Sequence, residues 1–236
     1  FTSVGDQSRG RIARLNSNGT LDEAFGDSPL IGTDNNVRAI VVEPGGRIII
    51  GGDFEHVDGV QHRKIARLEG NGAVDNTFLN AELNGGVSAL ALQTGGRIMV
   101  GGAFAYYVPP LVLHGGLSRL NTNGTVDATF DNGFSGANAN PVDTLLLLPQ
   151  GQVLAAGRFT AFNDVPRISL ARVNSDGSLD GDYQNGPTGP DDVVRTLAVH
   201  PDGKVLAGGR FRFVDEAAYR GLARLSNNGS LDTSFA

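Results

Sequence analysis

Acidic side chains in the connecting segments are the residues of this chain that could catalyse a reaction. Two carboxylates about 5–9 Å apart would suit glycoside hydrolysis, in which one group protonates the leaving oxygen and the other attacks or activates water. Six candidates fall in segments that we expect on one rim of the molecule: Asp27, Asp34, Glu82, Asp131, Asp191 and Asp192. Solvated loop charges are the more common explanation of such residues, so catalysis is the weaker of the two interpretations.

Other catalytic and metal-binding motifs are missing from the sequence. There is no cysteine, no Gly-x-Ser-x-Gly motif and no phosphate-binding loop. The histidines occupy non-equivalent segments without His-x-x-x-His spacing: His56, His62, His114 and His200. The spacing Asn16-x-Asn18-Gly19-x-x-Asp22 resembles the start of a calcium loop, but it lacks the bidentate glutamate that closes such a loop. We therefore expect no enzyme and no cofactor, with calcium as the weaker alternative.

A second set of charged residues recurs at a fixed spacing. In five places an arginine is followed eight positions later by an aspartate. The pairs are Arg14–Asp22, Arg67–Asp75, Arg119–Asp127, Arg172–Asp180 and Arg224–Asp232. The arginine shares its predicted strand face with apolar residues such as Ile65. Separating a buried ion pair costs about 3–5 kcal/mol, whereas an exposed pair contributes about 0–1 kcal/mol. Five identical pairs favour a structural role over five active sites.

A turn dipeptide separates each arginine from its aspartate. The dipeptides are Asn18-Gly19, Asn71-Gly72, Asn123-Gly124, Asp176-Gly177 and Asn228-Gly229. Asn-Gly or Asp-Gly between apolar runs is the strongest short signal of a hairpin. A two-residue loop would place Leu15 opposite Asp22. A three-residue loop over 17–19, with Gly19 in the left-handed region, places Leu15 opposite Leu21 and Arg14 opposite Asp22. We prefer this second register because both cross-strand pairs are then favourable.

The Arg–Asp hairpins alternate with hairpins that turn at Pro and Gly residues. One of these is VRAIVVEPGGRIIIGGDF at 37–54, and three relatives follow it. Its strands A and B, with strands C and D of the Arg–Asp hairpin, form a unit of about fifty residues. Four antiparallel strands repeated at such a period predict an all-β propeller, with a β-solenoid as the alternative. Small residues at the end of strand B, such as Gly51 and Gly52, would let neighbouring sheets approach closely.

The repeat predicts one domain with an incomplete ring. We expect a half-blade of strands C and D at 1–36 and blades of four strands at 37–86, 87–141, 142–192 and 193–236. Phe1 aligns with Phe54, so the chain begins inside a repeat, and five C–D hairpins accompany four A–B hairpins. We expect the remainder of a larger polypeptide, or another chain, to complete the propeller, because an open arc would expose sheet faces that soluble proteins bury.

The repeat resembles the bacterial delta-60 repeat family, whose units are predicted to form β-propellers. The residues that carry the match are Gly51, Gly52, Phe54, Ala66, Arg67, Leu68, Asn71, Gly72, Asp75 and Phe78. The pattern covers the whole chain in four and a half copies, with conservative departures at Ala156, Tyr183 and Ser118. This resemblance implies the fold and no activity, and it favours a secreted or cell-surface location in a bacterium.

One segment between strands B and C differs from its relatives. The relatives are mostly polar, but AYYVPPLVLHGG at 105–116 is apolar and aromatic. An exposed apolar loop on a rigid scaffold often contacts a partner. The alternative is that the segment folds back over its own rim or strand edge. The candidate partner-binding residues are Tyr106, Tyr107, Leu111, Leu113 and His114.

Composition narrows the possible functions. The formal net charge is −6 at pH 7 and no basic cluster is present, which argues against nucleic-acid binding. No apolar run has the length of a membrane span, so we expect no membrane insertion. We predict a non-catalytic binding or scaffolding module of a secreted or cell-surface protein, for example in adhesion, that contacts a protein or a glycan. The alternatives are a carbohydrate-active propeller enzyme, of the hydrolase or lyase type, and a purely structural spacer.

Overall fold

Short runs of Val, Ile and Leu form antiparallel strands throughout the computed structural model, which describes residues 1–26, 32–108, 112–130, 136–138, 141–184 and 189–235. Within these ranges the one helical element is a 3-10 turn at Pro149–Gly151. No helix in the described part of the chain has the length and apolar character needed to cross a bilayer.

The strands fall into an N-terminal unit (residues 1–26) and four blades. The N-terminal unit contains β1 (Ser3–Val4) and β2 (Gln7–Ser8). Blade 1 contains β3 (Val37–Val42), β4 (Ile48–Gly52), β5 (His56–Val57), β6 (Val60–Gln61) and β7 (Ile65–Leu68). Blade 2 contains β8 (Val87–Leu92), β9 (Ile98–Val108) and β10 (Val112–Leu120). Blade 3 contains β11 (Val142–Leu147), β12 (Val153–Gly157), β13 (Ala161–Phe162), β14 (Val165–Pro166) and β15 (Leu170–Val173). Blade 4 contains β16 (Val194–Val199), β17 (Val205–Gly209), β18 (Phe213–Val214), β19 (Ala217–Ala218) and β20 (Leu222–Leu225).

Each blade is an antiparallel sheet in which strand A pairs with B and B pairs with C. The sheets are β3-β4-β7, β8-β9-β10, β11-β12-β15 and β16-β17-β20. In blades 1, 3 and 4 a two-stranded hairpin joins B to C where we predicted a loop. In blade 1 this hairpin turns through Asp58 and Gly59, whose φ angles of 50° and 76° are typical of a type I′ turn. Repeated antiparallel sheets of this kind confirm the predicted all-β fold.

Strand D is shorter than predicted, so the regular part of each sheet has three strands instead of four. In blade 1 it consists of one bridge, between Leu68 and Val74, followed by a hydrogen bond from the Asp75 amide to the Arg67 carbonyl. The reason lies in Asp75, whose Oδ1 accepts the backbone N–H of Thr77 at 2.9 Å. This local turn competes with the ladder and directs the chain away from strand C.

The blades lie side by side in an arc. The strands A of consecutive blades, β3, β8, β11 and β16, are neighbours in chain order. An apolar cluster fills each joint between blades, and that of blades 1 and 2 includes Ile49, Ile65, Val87 and Val100. The predicted close approach on strand B is also confirmed, because a Cβ added to Gly51 would collide with the side chain of Val87 on the next blade.

The connections divide into two rims. The Pro/Gly turns between A and B and the Asn-Gly turns between C and D lie on one rim, which we call the turn rim. The B–C hairpins and the D–A connectors lie on the opposite rim, which we call the hairpin rim. On that rim the connector residue Thr33 bridges Val57 of β5, and Pro190 bridges Val214 of β18 in the same way.

Candidate functional site

All five Arg–Asp pairs are formed at the turn rim. The Nε–Oδ2 distance is 2.7 Å in Arg14–Asp22, Arg67–Asp75 and Arg224–Asp232, and 2.8 Å in Arg119–Asp127 and Arg172–Asp180. The preferred register is confirmed as well. Leu15 bridges Leu21, the Asp22 amide donates to the Arg14 carbonyl at 2.9 Å, and Gly19 has a φ of 85°.

Each of the first four arginines also contacts the next blade, which the sequence analysis did not predict. Nη1 of Arg67 donates to the Thr122 carbonyl of blade 2 at 2.6 Å. The other bonds of this kind are Arg14 to Gly70, Arg119 to Ser175 and Arg172 to Asn227. The acceptor is always the residue before the Asn-Gly or Asp-Gly dipeptide of the following unit. The Arg–Asp pair therefore links consecutive blades in addition to the two strands of its own hairpin.

An aromatic ring lies against the guanidinium in every copy. The distance from Cζ to the ring centroid is between 4.5 and 4.9 Å for Arg14 over Phe25, Arg67 over Phe78, Arg119 over Phe130, Arg172 over Tyr183 and Arg224 over Phe235. A cation over an aromatic face contributes about 0.5–2 kcal/mol. Eleven positions separate the two residues in each copy. That constant spacing is a sequence signal from which the contact could have been predicted.

At Gly72, Gly124 and Gly229 the glycine of the turn dipeptide packs against the preceding unit. A Cβ added to Gly124 would lie 3.0 Å from the ring of Phe78 and would collide with the carbonyl of Leu79. The Leu79 amide in turn donates to the Asn123 carbonyl at 2.7 Å. At Gly19, where no blade precedes, no atom lies within 4 Å of an added Cβ. Glycine is thus favoured at Gly124 by the positive φ of the turn and by the close contact with the preceding blade.

The carboxylates of the pairs are saturated by protein donors. Oδ1 of Asp75 accepts the Thr77 hydroxyl at 2.6 Å in addition to the Thr77 amide, and Oδ2 accepts Nε of Arg67. Burial opposes ionisation of Asp75, but the bonds from Thr77 and Arg67 outweigh it and lower the pKa to about 2. An ionised carboxylate with all its acceptors engaged is poorly suited to proton transfer.

Two of the candidate carboxylates, Asp34 and Asp191, each bond the backbone of their own blade. Asp34 belongs to the connector of blade 1, and Asp191 belongs to that of blade 4. Oδ1 of Asp191 accepts the amides of Arg212 and Phe213 at 2.8 and 3.0 Å. The Phe213 bond is the main reason why the pKa of Asp191 is lowered. Oδ1 of Asp34 accepts two amides of its own hairpin, from Glu55 and His56, in the same way.

Of the remaining connector carboxylates, the structure describes Asp192 and Glu82. Oδ1 of Asp192 accepts the amide of Val193 at 2.7 Å. Glu82 is exposed, with a φ of 49°. Asp27 and Asp131 lie outside the described residues.

The three histidines whose side chains the structure describes, His56, His62 and His200, have different surroundings. Nδ1 of His56 lies 2.9 Å from Asp34 Oδ2, and Nδ1 of His200 lies 2.8 Å from Asp202 Oδ1. His62 is buried, which lowers its pKa, and its Nδ1 has no hydrogen-bond partner. No described nucleophile accompanies either His–Asp pair.

The calcium alternative finds little support in the geometry of the first turn. Asn18 Oδ1 accepts the amide and hydroxyl of Thr20, and Asp22 is committed to Arg14. The side chain of Asn16 donates its amide to Thr20 Oγ1. Across the described ranges no group of three or more His, Asp or Glu side chains converges as a metal site.

The predicted contact loop is in fact an extension of the blade 2 sheet. The ladder of β9 and β10 continues through a bulge between Gly115 and Leu117 and pairs Ala105 with Gly115, Tyr106 with His114, Tyr107 with Leu113 and Val108 with Val112. Leu111 lies outside the described residues, as do the side chains of the other candidate positions. We call the part of this ladder from 105 to 115 the contact hairpin.

An open groove of about 490 Å³ separates blades 2 and 3 at the turn rim. Its lining includes Arg97, Arg119, Gln150 and Ser175. Both arginines approach the carboxylate of Asp127, at 3.4 and 2.8 Å. Because the positive charge is partly neutralised by the protein itself, the groove is a weaker candidate site than the contact hairpin.

Comparison with protein-family models gives one match. The family is described as "Domain of unknown function (DUF5122) beta-propeller", and it matches residues 1–25, 44–78, 93–130, 148–182 and 200–235. Each matched segment ends at or next to the aromatic residue that lies over the arginine. The comparison with curated proteins finds no match.

Solved structures that resemble this chain are propellers and extracellular domains. The WD40 beta propeller domain of Doa1 is 17% identical, with a TM-score of 0.55, and the match covers 86% of this chain and 54% of that one. The extracellular domain of a one-component system protein from B. thetaiotaomicron is 15% identical, covering 88% and 23%, with a TM-score of 0.47. A gluconolactonase from Xanthomonas campestris is 15% identical, covering 86% of each chain, with a TM-score of 0.37.

These similarities bear on fold alone. The chain spans about half of the WD40 domain and less than a quarter of the extracellular domain. Identities below one fifth do not transfer an activity, and the gluconolactonase likeness is too distant to assign one. The family match, by contrast, covers more than half of the chain in five repeats. This protein therefore belongs to the DUF5122 β-propeller family.

Proposed function

We propose that this protein is a non-catalytic binding and scaffolding module whose contact hairpin binds a protein or a glycan. In this proposal the module is of the delta-60 repeat type and is carried by a secreted or cell-surface bacterial protein with an adhesive role. The chain contains no cysteine, so an oxidising environment would form no disulfide in it.

The observation that carries the proposal is the regular pairing of the contact hairpin together with its composition. It contains four residue pairs, from Ala105–Gly115 to Val108–Val112, whereas the equivalent hairpins β5–β6, β13–β14 and β18–β19 contain two pairs each. The contact hairpin is built from apolar and aromatic residue types, which favour strands but are unusual at a solvated rim. A hairpin of this composition is well suited to contact a partner.

The scaffold behind the hairpin is held by the Arg–Asp pairs, for which we propose a structural role. Arg67, for example, bonds Asp75 in its own blade and Thr122 in the next blade, and lies over Phe78. A site on a rigid element is positioned more accurately than one on a flexible loop. The joints on both sides of blade 2 are complete, so the contact hairpin extends from a fixed sheet.

The hydrogen bonds of the connector carboxylates Asp34 and Asp191 argue against a role in hydrolysis, which favours the binding function. Oδ1 of Asp34 accepts backbone amides at β5 in blade 1, and Oδ1 of Asp191 accepts backbone amides at β18 in blade 4. Blades 2 and 3 lie between these two blades. A general acid needs a raised pKa, whereas the pKa of Asp191 is lowered by backbone amides. These groups therefore resemble hairpin caps and lack the properties of a glycosidase pair.

The test compares binding of the wild-type protein and two variants to arrays of printed glycans and extracellular matrix proteins. The first variant carries Tyr106→Thr, Tyr107→Thr and Leu113→Thr, which remove the large side chains and place β-branched residues that favour strands in the ladder. The matched control carries Val165→Thr, an exposed apolar position on the short hairpin of blade 3. We expect the first variant to lose at least about tenfold in affinity for the bound array component, and the control to bind as the wild type does.

Thermal unfolding followed by circular dichroism should be the same in all three proteins. Equal binding by wild type and first variant, or no binding by the wild type, would contradict the proposal. Cleavage of a printed glycan that disappears with Asp191→Asn would instead support the carbohydrate-active enzyme.

A further inference from the structure

The groove between blades 2 and 3 at the turn rim is lined by more positive charge than its surroundings neutralise. Its described lining contains Arg97 and Arg119 and no acidic residue. Both arginines share one carboxylate, the buried Asp127, whose Oδ2 lies 2.8 Å from Nε of Arg119 and 3.4 Å from Nε of Arg97. The volume of about 490 Å³ is in the range of small-molecule sites, about 300–1,000 Å³.

Blade 1 has the same two arginine positions but two carboxylates beside them. Nε of Arg47 lies 2.7 Å from Oε2 of Glu43, and Nε of Arg67 lies 2.7 Å from Oδ2 of Asp75. The Arg47–Glu43 contact is a pairing of charges that lacks the direction of a hydrogen bond. Glu43 also approaches the second arginine, with Oε1 3.8 Å from Nη1 of Arg67. The charges at this position of blade 1 therefore balance.

Gln93 takes the place of Glu43 in blade 2. The backbone establishes the alignment, because the Glu43 amide donates to the Arg47 carbonyl at 2.8 Å and the Gln93 amide donates to the Arg97 carbonyl at 2.9 Å. The side chain of Gln93 donates Nε2 to the Gly151 carbonyl of blade 3 at 3.1 Å. It holds the joint together without supplying a negative charge. The difference between the two blades is therefore one carboxylate, lost next to Arg97.

Arg97 consequently presents an unpaired edge of its guanidinium to the groove. Its one ion pair among the described residues is the contact of Nε with Asp127, and neither Nη atom has a described partner. The side chain is 48% exposed. Asp176 of blade 3 attracts Arg119 at longer range, but its Oδ1 accepts the amide and hydroxyl of Ser178. Two neighbouring N–H donors of an arginine suit a carboxylate, which can accept both.

The rest of the lining indicates what else the ligand carries. An apolar wall is formed by Leu92 of blade 2 and by Leu147, Leu148 and Pro149 of blade 3. The three leucines are partly exposed. An apolar group placed against them would remove their surface and its own from water, which is favourable. An inorganic anion offers no such group, so the lining favours an organic acid.

We infer that this groove is a binding site for a small organic carboxylate, whose charged end pairs with Arg97 and whose apolar chain lies against the leucine wall. The ligand's carboxylate would supply the negative charge that Glu43 supplies in blade 1. The site depends on a departure from the repeat at Gln93 and leaves the repeated Arg119–Asp127 pair intact. It lies on the rim opposite the contact hairpin and is independent of what that hairpin binds.

The experiment titrates hexanoate into the isotope-labelled protein and follows two NMR signals, the Nε–Hε group of Arg97 and the amide of Ser175 in the groove. Hexanamide has the same chain without the charge, and acetate has the charge without the chain. We expect saturable binding of hexanoate, binding of acetate at least about tenfold weaker, and no saturation by hexanamide over the same concentrations.

Three variants separate the charge in the groove from the net charge of the protein. Gln93→Glu restores the carboxylate of blade 1, and Arg97→Gln introduces the residue that blade 3 has at the aligned position, Gln152. Gln61→Glu is the matched control, because it adds the same charge at an exposed position on the hairpin rim. We expect both groove variants to bind hexanoate at least about tenfold more weakly, as reported by the Ser175 amide, and the control to bind as the wild type does.

Several results would overturn the inference. These are the absence of saturable hexanoate binding, equal binding of hexanoate and hexanamide, equal binding of hexanoate and acetate, and a Gln93→Glu variant that binds as the wild type does. Equal weakening by Gln93→Glu and Gln61→Glu would also overturn it, because the effect would then come from net charge alone. Thermal unfolding checks that the variants are folded, and if one groove variant fails to fold, the other decides the question.

Discussion

The contrast between Arg119 and Arg14 offers the sharpest test of the joint between blades. Both arginines pair with an aspartate, bond a carbonyl of the next unit and lie over a phenylalanine. They differ in exposure: the side chains of Arg119 and Asp127 are 5% exposed, whereas that of Arg14 is 41% exposed. Replacement by methionine keeps the length of the side chain and removes its charge in both places.

The expected magnitudes follow from that difference. Arg119→Met removes the buried cation of the pair and leaves Asp127 with Thr129 and the exposed Arg97 as its partners; truncating one member of a buried ion pair costs about 3–5 kcal/mol. Arg14→Met removes a pair that water already screens, worth about 0–1 kcal/mol, and one bond to Gly70 worth about 1 kcal/mol. We therefore expect the first variant to be less stable than the second by at least about 1 kcal/mol, roughly a fivefold difference in the unfolding constant.

Urea unfolding followed by circular dichroism measures this difference. Arrays of repeats can unfold in parts, so the comparison requires equal slopes of free energy against urea for the two variants. A double substitution, Arg119→Met with Asp127→Leu, is the matched control, because removing both charges leaves no unpaired carboxylate and should recover part of the loss. Equal destabilisation by Arg14→Met and Arg119→Met would refute the idea that burial in the joint gives the pair its value.

Three further predictions use the same stability measurement. Gly124→Ala should cost at least about 1 kcal/mol more than Gly19→Ala, because both glycines have positive φ but only an added Cβ at Gly124 meets the preceding blade; equal costs would contradict the packing role. The folded-state pKa of Asp75 is depressed to about 2 from its ordinary value of 3.8, so its contribution is present above pH 4 and is lost as the pH falls towards 2. Asp75→Asn should accordingly reduce the acid-induced loss of stability over that interval by about 2 kcal/mol, and an unchanged pH profile would contradict it. Tyr183→Phe should raise stability by about 1–3 kcal/mol, because the buried Tyr183 hydroxyl has no hydrogen-bond partner among the described residues; a loss of stability would indicate that the hydroxyl is bonded in solution.

The local features of the fold could be predicted because they depend on residues close in sequence. The register of the C–D hairpin follows from pairing Leu15 with Leu21 and Arg14 with Asp22, and the structure has that register. The shortness of strand D could not be derived from apolar spacing. It depends on the bonds from Thr77 to Asp75, which compete with the ladder.

Contacts between blades were harder to predict because their partners are far apart in sequence. Arg67 bonds a carbonyl 55 positions away, and backbone carbonyls leave no mark on the residue types. The stacking of Arg67 on Phe78 is different, since its constant spacing of eleven was visible in all five copies. The contact hairpin was predicted as a loop because its relatives between strands B and C are polar segments without a strand pattern, whereas the structure pairs 105–108 with 112–115.

The two rims explain why function should be sought away from the repeated charges. The bonds of the Arg–Asp pairs, the aromatic contacts and the turn glycines all meet at the turn rim, and each tolerates little change because it serves two blades. In a repeat protein stability is approximately a sum of units and nearest-neighbour joints. The hairpin of blade 2 on the opposite rim differs from its relatives in composition and pairing, and its residues take no part in these joints. The hairpin rim can therefore acquire new contacts at little cost to the fold, and the contact hairpin is the largest departure from the repeat that the described strands contain.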